Sequence, residues 1–556
     1  TTADNNTAVG TNALAANTTG ANNVAVGALA LDANTTGGSN VAVGKDALAA
    51  NTTASGNIGI GVGALRYNTT GAEITAVGDG SMAANTTGAT NVAVGAQTLA
   101  ANTTGGSNIA IGGYALNDNT TGGTNVAIGV GALDANTTAS NNTAVGNQAL
   151  GANTTGTDNV AVGRNAADAI TTSSYNVAIG GNSLTAATTG DGRNVAIGQG
   201  AMAATTTGAY NVGIGEGALA ANTTANRNTA IGAAALGVNT TGANNVALGA
   251  YALDASNASS CTALGDSALG ANTTGASNTA VGTESLAANT TAGGNVAVGV
   301  YAGYVNTTGD SNVFIGYNAG VANTTAGNNT YIGNGAGSSG TTGNLNVAVG
   351  TNAGNSITTG VQNAMLGQGV GTTLTTGHYN TVVGNACNVS ATNSSRQLVF
   401  GNSLTGTTNN AVHIGGSGGH VRNDFLDDAT WDQVSDVRKK TNIEDSSMGL
   451  DFINKLRTVI FNWKSPSEFP EEWQEYNASQ TEPLTENKKM GLIAQEVKAV
   501  IDELGIEHYD STWGEKPDGQ QEIGPSAYVF PLIKAVQELS AEVEELKQKA
   551  HEKCDK

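Results

Sequence analysis

The chain has 556 residues, a formal net charge of −21 and 78 glycines, 72 of which lie at or before residue 423. Acids outnumber bases both before and after that residue, so no basic stripe can neutralise phosphates and we expect no nucleic-acid partner. No apolar run is long enough to span a bilayer, and three widely spaced cysteines form no ligand pattern. We therefore expect no membrane insertion, no metal and no cofactor.

Residues 1–415 repeat one phrase, roughly N-V-A-V-G-x-x-A-L-x-A-N-T-T-G-x-x, whose closing glycine recurs with a 17-residue period. In all, 25 of these closing glycines occur. The step that leads to Gly198 is one residue longer than the period, and the step that leads to Gly265 is one residue shorter. The alternating V-A-V segment predicts a short strand, A-L-x-A a second apolar side, and N-T-T-G a turn. We predict a mainly β fold, a β-roll or parallel β-solenoid of about 25 coils, each with two strands and two turns.

The apolar residues of one coil are few. In the second repeat Val24 and Val26 share one face of the strand, and Ala25 faces the other way. Two Val or Ile and one Leu per coil make a thin core for a free-standing roll, so we expect several chains to pack side by side. The small residue between the valines would let another surface approach closely. We also expect the Asn of N-T-T-G to stack in a ladder along the array.

The repeat resembles the head of trimeric autotransporter adhesins of the YadA type, which carries N-x-x-A-x-G-x-x-A-x-A, over residues 5–415. The resemblance implies a homotrimer of left-handed parallel β-rolls. The repeat of this chain is a few residues longer than is usual in those heads. Very similar N-T-T-G arrays also occur in phage tail fibres.

The pattern loosens toward residue 415, where polar side chains with functional chemistry collect. Either they form a receptor site or they only cap the roll: His378, Arg396, His413, His420 and Arg422. Three tyrosines precede the Asn of a strand and so lie in loops, where aromatic rings can stack on sugars: Tyr175, Tyr210 and Tyr379.

We predict a distal cap and linker at residues 416–434 and a smaller α/β domain at residues 435–556. In that domain a helix and a short strand are expected within residues 448–464. A strand or turn and then an amphipathic helix ended by Gly505 follow, and residues 511–527 look like a loop. A 4-3-4-3-4 spacing predicts a coiled coil over about residues 529–553, with its seam at Leu532, Val536, Leu539, Val543, Leu546 and Ala550.

Three motifs occur in order in this domain. They are S-D-V-R-K-K with N-I between Ser435 and Ile443, G-L-I-A-Q-E-V at Gly491–Val497, and Y-V-F-P-L-I-K-A-V-Q-E-L at Tyr528–Leu539. The domain closely resembles the self-cleaving intramolecular chaperone of phage tailspikes and tail fibres, the endosialidase type. The resemblance implies a trimeric chaperone that folds the fibre before it and then cuts itself off.

The resemblance makes Ser435 the nucleophile, Lys440 its partner and Val434–Ser435 the scissile bond. The activity would be that of a single-turnover serine peptidase with no external substrate. On the residues alone we would interpret Ser435 as a helix N-cap, and Lys439 is a rival base. A spacing of five places Ser435 and Lys440 on different faces of a regular helix or strand, so a turn or the trimer must join them.

The leading hypothesis is a phage tail fibre for host attachment, made in the host cytoplasm and carried on the virion tail. Its expected partners are two further copies and a host cell-surface receptor, either a glycan or an outer-membrane component. The chain begins within a repeat and without Met, so we expect a preceding region that joins other tail proteins. The alternative is a bacterial cell-surface trimeric adhesin of the YadA-head type, which should continue into an outer-membrane anchor. A polysaccharide-degrading fibre would need paired carboxylates in one unusual coil, and the array has none.

Overall fold

A computed structural model of the chain describes residues 3–187, 189–424, 432–433, 441, 443–473, 475–483, 488–507 and 512–554. The chain divides into two compact units, Thr1–Val434 and Ser435–Lys556. In the described ranges no helix combines the length and the apolar character that crossing a membrane requires.

The first unit is a parallel β-solenoid with a 17-residue repeat, as the sequence predicts. Each of the strands from β1 (Thr7–Val9) to β24 (Leu398–Asn402) pairs in parallel with the next, for example Val24 with Val41 and Val41 with Ile58. A spacing of about 4.8 Å between strands makes the stack about 115 Å long. After β25 (Ala411–Gly416) the chain turns back, so that β26 (Gly419–Asp424) pairs antiparallel with β25, and β27 (Asp432–Gln433) pairs antiparallel with β26.

The strands of this unit are β1 (Thr7–Val9), β2 (Val24–Val26), β3 (Val41–Val43), β4 (Ile58–Ile60), β5 (Thr75–Val77), β6 (Val92–Val94), β7 (Ile109–Ile111), β8 (Val126–Ile128), β9 (Thr143–Val145), β10 (Val160–Val162), β11 (Val177–Ile179), β12 (Val195–Ile197), β13 (Val212–Ile214), β14 (Thr229–Ile231), β15 (Val246–Leu248), β16 (Thr262–Leu264), β17 (Thr279–Val281), β18 (Val296–Val298), β19 (Val313–Ile315), β20 (Thr330–Ile332), β21 (Val347–Val349), β22 (Ala364–Leu366), β23 (Thr381–Asn385), β24 (Leu398–Asn402), β25 (Ala411–Gly416), β26 (Gly419–Asp424) and β27 (Asp432–Gln433).

The two faces of the strands are the reverse of the prediction. Ala25 is fully buried, whereas Val24 and Val26 on either side of it are only partly covered. Along the array, from β2 to β22, the middle residue of the strand is buried and its two neighbours are at least partly exposed. The third strand position carries Val, Ile, Leu or Phe in all 25 parallel strands. A regular coil of the solenoid therefore keeps its small residue inside and presents two side chains on its outer surface, of which the second is apolar and the first is mostly Val, Ile or Thr.

The A-L-x-A segment forms turns, so the prediction of a second strand in each coil was wrong. Its leucine is buried with a positive φ, which is 52° at Leu31 and 52° at Leu48. This conformation costs a non-glycine residue about 1–2 kcal/mol. The buried side chain offsets that cost, and the Leu31 N–H still donates to the carbonyl of Ala47 in the next coil at 3.1 Å. The core of a regular coil is thus one leucine packed against small alanines.

Two ladders of buried asparagine run along the solenoid. In the N-T-T-G ladder Asn51 donates from Nδ2 to Oδ1 of Asn34 at 2.9 Å and to the carbonyl of Ala54 at 3.0 Å. In the second ladder, just before each strand, the Asn40 N–H donates to Oδ1 of Asn23 at 2.9 Å. The predicted asparagine ladder is confirmed, and it pairs polar groups that would otherwise be buried without partners.

Five consecutive coils near the end of the solenoid carry glycine at the position of the buried leucine: Gly303, Gly320, Gly337, Gly354 and Gly371. In three of them the strand residue six positions earlier is large rather than alanine, and it is fully or almost fully buried: Phe314, Tyr331 and Met365. A Cβ added at Gly303 would lie 2.5 Å from Cδ2 of Phe314. In these coils the core is therefore filled from the strand side instead of the turn side.

The second unit is a small α/β domain that ends in a long helix. Its elements are α1 (Leu450–Lys455), β28 (Val459–Phe461), a 3₁₀ helix at Pro466–Glu468, β29 (Lys489–Gly491), α2 (Ala494–Glu503), β30 (Trp513–Glu515), β31 (Gln521–Ile523), a 3₁₀ helix at Pro525–Tyr528 and α3 (Val529–Cys554). Strands β28 and β29 pair antiparallel, as do β30 and β31. The segment expected to be a loop thus contains a hairpin, whose three-residue strands are too short to show a clear alternation.

Helix α2 ends where the sequence predicts. Gly505 follows it with φ 63°, and the Ile506 N–H donates to the carbonyl of Ile501 at 3.0 Å. Glycine takes this left-handed conformation without strain and so lets the chain leave the helix.

Candidate functional sites

The proposed cleavage site lies outside the described residues, as do the predicted site residues Val434, Ser435 and Lys440 and the rival Lys439. On the N-terminal side of the proposed cleavage site the last described strand is β27, in which Gln433 pairs with Val421 of β26. The boundary that divides the chain into its two compact units falls between Val434 and Ser435.

The second and third motifs of the C-terminal unit come together in its core. Gly491 ends β29, and Val497 of α2 is buried in the same cluster as Tyr528, with which the third motif begins. The Tyr528 ring stacks on Phe452 at a centroid distance of 6.4 Å and an interplanar angle of 5°. Burial raises the pKa of Tyr528 to about 12, so the phenol stays protonated, and its hydroxyl donates to the carbonyl of Thr512 at 3.4 Å. These motif residues therefore have a structural role in the core of the second unit.

Two of the predicted receptor residues meet around a tyrosine on the solenoid surface. The guanidinium of Arg396 lies over the Tyr379 ring, 5.3 Å from its centroid. The His378 ring stands edge-on to the same tyrosine at 6.4 Å, and its Nδ1 accepts a hydrogen bond from the Val361 N–H at 3.0 Å. The arrangement presents one aromatic face flanked by a cation and an imidazole.

The other three predicted receptor residues lie on the β25–β26 hairpin. His413 is fully buried, with its ring centroid 5.6 Å from that of His420, and its Nε2 accepts a hydrogen bond from the Thr407 N–H at 3.3 Å. Burial first, then the neighbouring His420 and Arg422, lower the pKa of His413 and favour its neutral form. Arg422 donates to Oγ1 of Thr407 at 3.4 Å. His413 thus supports the hairpin from within, while Arg422 reaches its surface.

One further surface arginine, Arg193, was not predicted as a site residue from the sequence. Tyr175 and Tyr210 lie in loops, as predicted, and the guanidinium of Arg193 lies between their rings. The signal was present, because Arg193 precedes the strand asparagine Asn194 just as the tyrosines precede theirs. Because this coil is one residue longer than the others, counting with the regular period does not align Arg193 with Tyr175 and Tyr210.

Comparison with known proteins identifies the second unit. Residues 435–506 match the family model described as chaperone of endosialidase, and the match begins at Ser435. None of the curated proteins matches the chain. The chain therefore carries a chaperone-of-endosialidase domain preceded by a long β-solenoid, an organisation that supports a tail fibre or tailspike with a C-terminal chaperone.

Proposed function

We propose that this chain is a host-attachment fibre of a phage tail, which assembles as a homotrimer and whose chaperone releases itself by cutting the Val434–Ser435 bond. The observation that carries the proposal is the chaperone-of-endosialidase match at residues 435–506, which begins directly after the compact unit that contains the solenoid.

The outer surface of the solenoid supports self-association. Two side chains per coil, mostly Val, Ile or Thr, form a strip about 115 Å long and about 7 Å wide, on the order of 800 Å². Apolar patches on monomeric proteins rarely exceed about 300–600 Å², and about 800 Å² per partner is typical of a stable interface. A second copy with the same repeat would match the strip along its whole length. The number three comes from the resemblance to trimeric heads and trimeric chaperones.

Helix α3 gives independent support for self-association. Its apolar side chains at heptad spacing are exposed in the single chain: Leu532, Val536, Leu539, Val543 and Leu546. A stripe of this kind is the seam of a coiled coil, which requires further helices to cover it.

A chaperone at one end would fix the register between the chains, which the repeats themselves specify only weakly. Three chains of near-identical coils can align in many registers, each slipped by one coil from the last and nearly equal to it in energy. A unique trimeric module sets one register before the solenoid assembles. Its removal then leaves a fibre whose unfolding must break many stacked coils.

The cleavage step needs only groups of the chain and water. Ser435 Oγ attacks the carbonyl carbon of Val434 while Lys440 takes the hydroxyl proton. The C–N bond breaks, the proton passes to the amine of Ser435, and the Val434 acyl group is left as an ester on Oγ. Water hydrolyses this ester to a carboxylate on Val434 and a free hydroxyl on Ser435.

Mass spectrometry of the expressed full chain tests the cleavage. We expect wild type to give a fragment that ends at Val434 and one that begins at Ser435, and Ser435→Ala to remain intact. Ser446→Ala, a nearby exposed serine in the same unit, is the matched control and should cleave normally. Lys440→Met and Lys439→Met decide between the two bases. A wild-type chain that stays whole after folding would refute self-cleavage.

Analytical ultracentrifugation tests the trimer. Ile128→Lys places a charge in the outer apolar strip, whereas Thr121→Lys places one on an exposed turn before the same coil. We expect wild type and Thr121→Lys to sediment as trimers and Ile128→Lys to assemble poorly. Equal trimer yields for both variants would show that this strip is not the interface.

Attachment is tested by the binding of purified fibres to host cells. We place the receptor contact at the distal residues, and alanine at all five should weaken binding: His378, Arg396, His413, His420 and Arg422. Because His413 is buried, a second variant should change only the other four. Undiminished binding by both variants would exclude a receptor site there.

A further inference from the structure

A second aromatic and cationic cluster lies on the solenoid surface, about ten coils before the distal residues. It occupies the position before the strand asparagine, which Tyr175, Arg193 and Tyr210 fill in three successive coils. All three backbones have positive φ, between 59° and 62°, and all lie at the edge of a loop. The coil that contains Arg193 is the single 18-residue coil of the array, and its extra residue lies in the turn before that arginine.

The three side chains form a stack that remains open to solvent. The Arg193 guanidinium carbon lies 5.3 Å from the ring centroid of Tyr175 and 5.4 Å from that of Tyr210. The rings are still 54% and 46% exposed, respectively. Arg193 Nη1 donates to the Tyr210 hydroxyl at 3.1 Å and to the carbonyl of Asp191 at 3.4 Å. The contacts order the arginine without covering the stack.

The charge of Arg193 is not neutralised by these contacts, since both acceptors are uncharged oxygens. Residues 1–423 contain only seven basic side chains against 15 acids, so a cation held at the surface is unusual in this unit. Stacking between two rings fixes the planar guanidinium and leaves its edge as a donor for an anion. Such a pre-ordered arginine loses little side-chain entropy when it binds a carboxylate.

We propose that the Tyr175–Arg193–Tyr210 stack is a binding site for an acidic sugar residue. The exposed tyrosine rings offer flat apolar faces for the C–H face of a pyranose, and Arg193 pairs with its carboxylate. This proposal rests on the proposed attachment function and adds to it a second contact site, whose ligand is an acidic sugar. It lies apart from the distal residues, so the two sites can be tested separately.

Charges at the two ends of the stack give the site a direction. In the coil before Tyr175 the same position holds Asp158, and in the coil after Tyr210 it holds Arg227. Arg227 lies two coils, or about 10 Å, from Arg193. The carboxylate of the sugar therefore belongs on the Arg227 side of the stack, and the neutral part of the glycan extends toward Tyr175.

The test measures binding of the full-length protein to immobilised oligosaccharides that contain uronic or nonulosonic acids, each beside its carboxyl-reduced form. We expect at least one acidic glycan to bind more tightly than its reduced form. Arg193→Gln keeps a planar group but removes the charge, and should weaken the acidic glycan on the order of 10- to 100-fold without affecting the reduced form. Tyr175→Ser should weaken both forms. Protease resistance of each variant confirms that the solenoid is folded.

Matched controls are Arg164→Gln, an exposed arginine just after β10, and Tyr251→Ser, an exposed tyrosine elsewhere on the array. Both should bind like wild type. The inference is overturned if no acidic glycan is preferred, or if Arg193→Gln and Arg164→Gln behave alike. Fibres that keep Arg193-dependent sugar binding but do not attach to host cells would instead contradict the proposed function.

Discussion

Replacing Phe314 by alanine should destabilise one coil of the solenoid by about 4 kcal/mol, within the range for truncating a buried phenylalanine. The ring is completely buried, and the core positions beside it in its own and the preceding coil are glycines, Gly320 and Gly303. Neither has a side chain that could collapse into the cavity. Loss of the contact with the Tyr331 ring, 5.8 Å away between centroids, adds to the cost.

A leucine at position 320 should have opposite effects in the two backgrounds. In wild type a Cβ at Gly320 would overlap the Phe314 ring, so Gly320→Leu is strongly destabilising. In the Phe314→Ala background the same change restores the alanine and leucine pair of a regular coil. Burying the leucine returns about 2–3 kcal/mol and its positive φ costs about 1–2 kcal/mol, so we expect a net recovery of about 1 kcal/mol.

Hydrogen exchange followed by mass spectrometry of peptides from residues 296–337 measures this locally. When exchange proceeds through opening of a coil, about 4 kcal/mol corresponds to roughly a 1000-fold faster rate. Gly320→Leu should slow exchange about fivefold in the Phe314→Ala background and accelerate it in wild type. An effect of the same sign in both backgrounds would refute the view that strand and turn residues share one core volume.

Acid pH should loosen the β25–β26 hairpin, because burial lowers the pKa of His413 below its ordinary 6.5 and the unfolded hairpin therefore binds the proton more readily. Stability is then lost as the pH falls below 6.5, and exchange of the hairpin amides at about pH 5 and pH 7 should show it. Asn68→Ala breaks the buried ladder and should cost about 1–3 kcal/mol in local exchange, whereas Asn5→Ala at the exposed start should cost under about 0.5 kcal/mol. Gly61→Ala should prevent formation of a protease-resistant solenoid, since its Cβ would lie 2.6 Å from the carbonyl carbon of the next coil, while Gly63→Ala, with open space around it, should still fold.

The repeat predicted the solenoid, its period and the asparagine ladder, because each follows from spacing and local chemistry. It did not predict which face of the strand lies inside. Alternation separates Val24 and Val26 from Ala25, but the choice between them depends on the width of the coil. Leu31 enters from the opposite turn with a positive φ, and the room left for the strand side chain suits alanine.

The pairing of leucine and alanine was visible in the sequence all the same. Wherever the strand residue becomes Phe314 or Tyr331, the residue six positions later becomes glycine.

The site residues were less predictable from the sequence than the core. Motif order located the chaperone, whereas the roles of Ser435 and Lys440 stay predictions because residues 434–440 lie outside the part of the chain that the structure describes. The Arg193 stack needed three-dimensional alignment of coils of unequal length.

The hairpin at the end of the solenoid has a consequence for polymerisation. A parallel stack of coils ends in an open row of backbone donors and acceptors, onto which another fibre could add its own strands. Strand β26 reverses direction and pairs with β25, the last parallel strand, along six residue pairs. The edge that β26 then presents is short, carries Arg422 and Asp424, and is partly covered by β27.

The proposed cut falls after β27, so the whole hairpin would stay with the solenoid if the chaperone were released. The edge of β25 is therefore blocked before the proposed cleavage and would remain blocked after it. Fibres released at high local concentration would be protected from end-to-end growth at that edge. In this respect the hairpin would block the edge permanently, and under the proposed function the chaperone would need to remain only until the coils are in register.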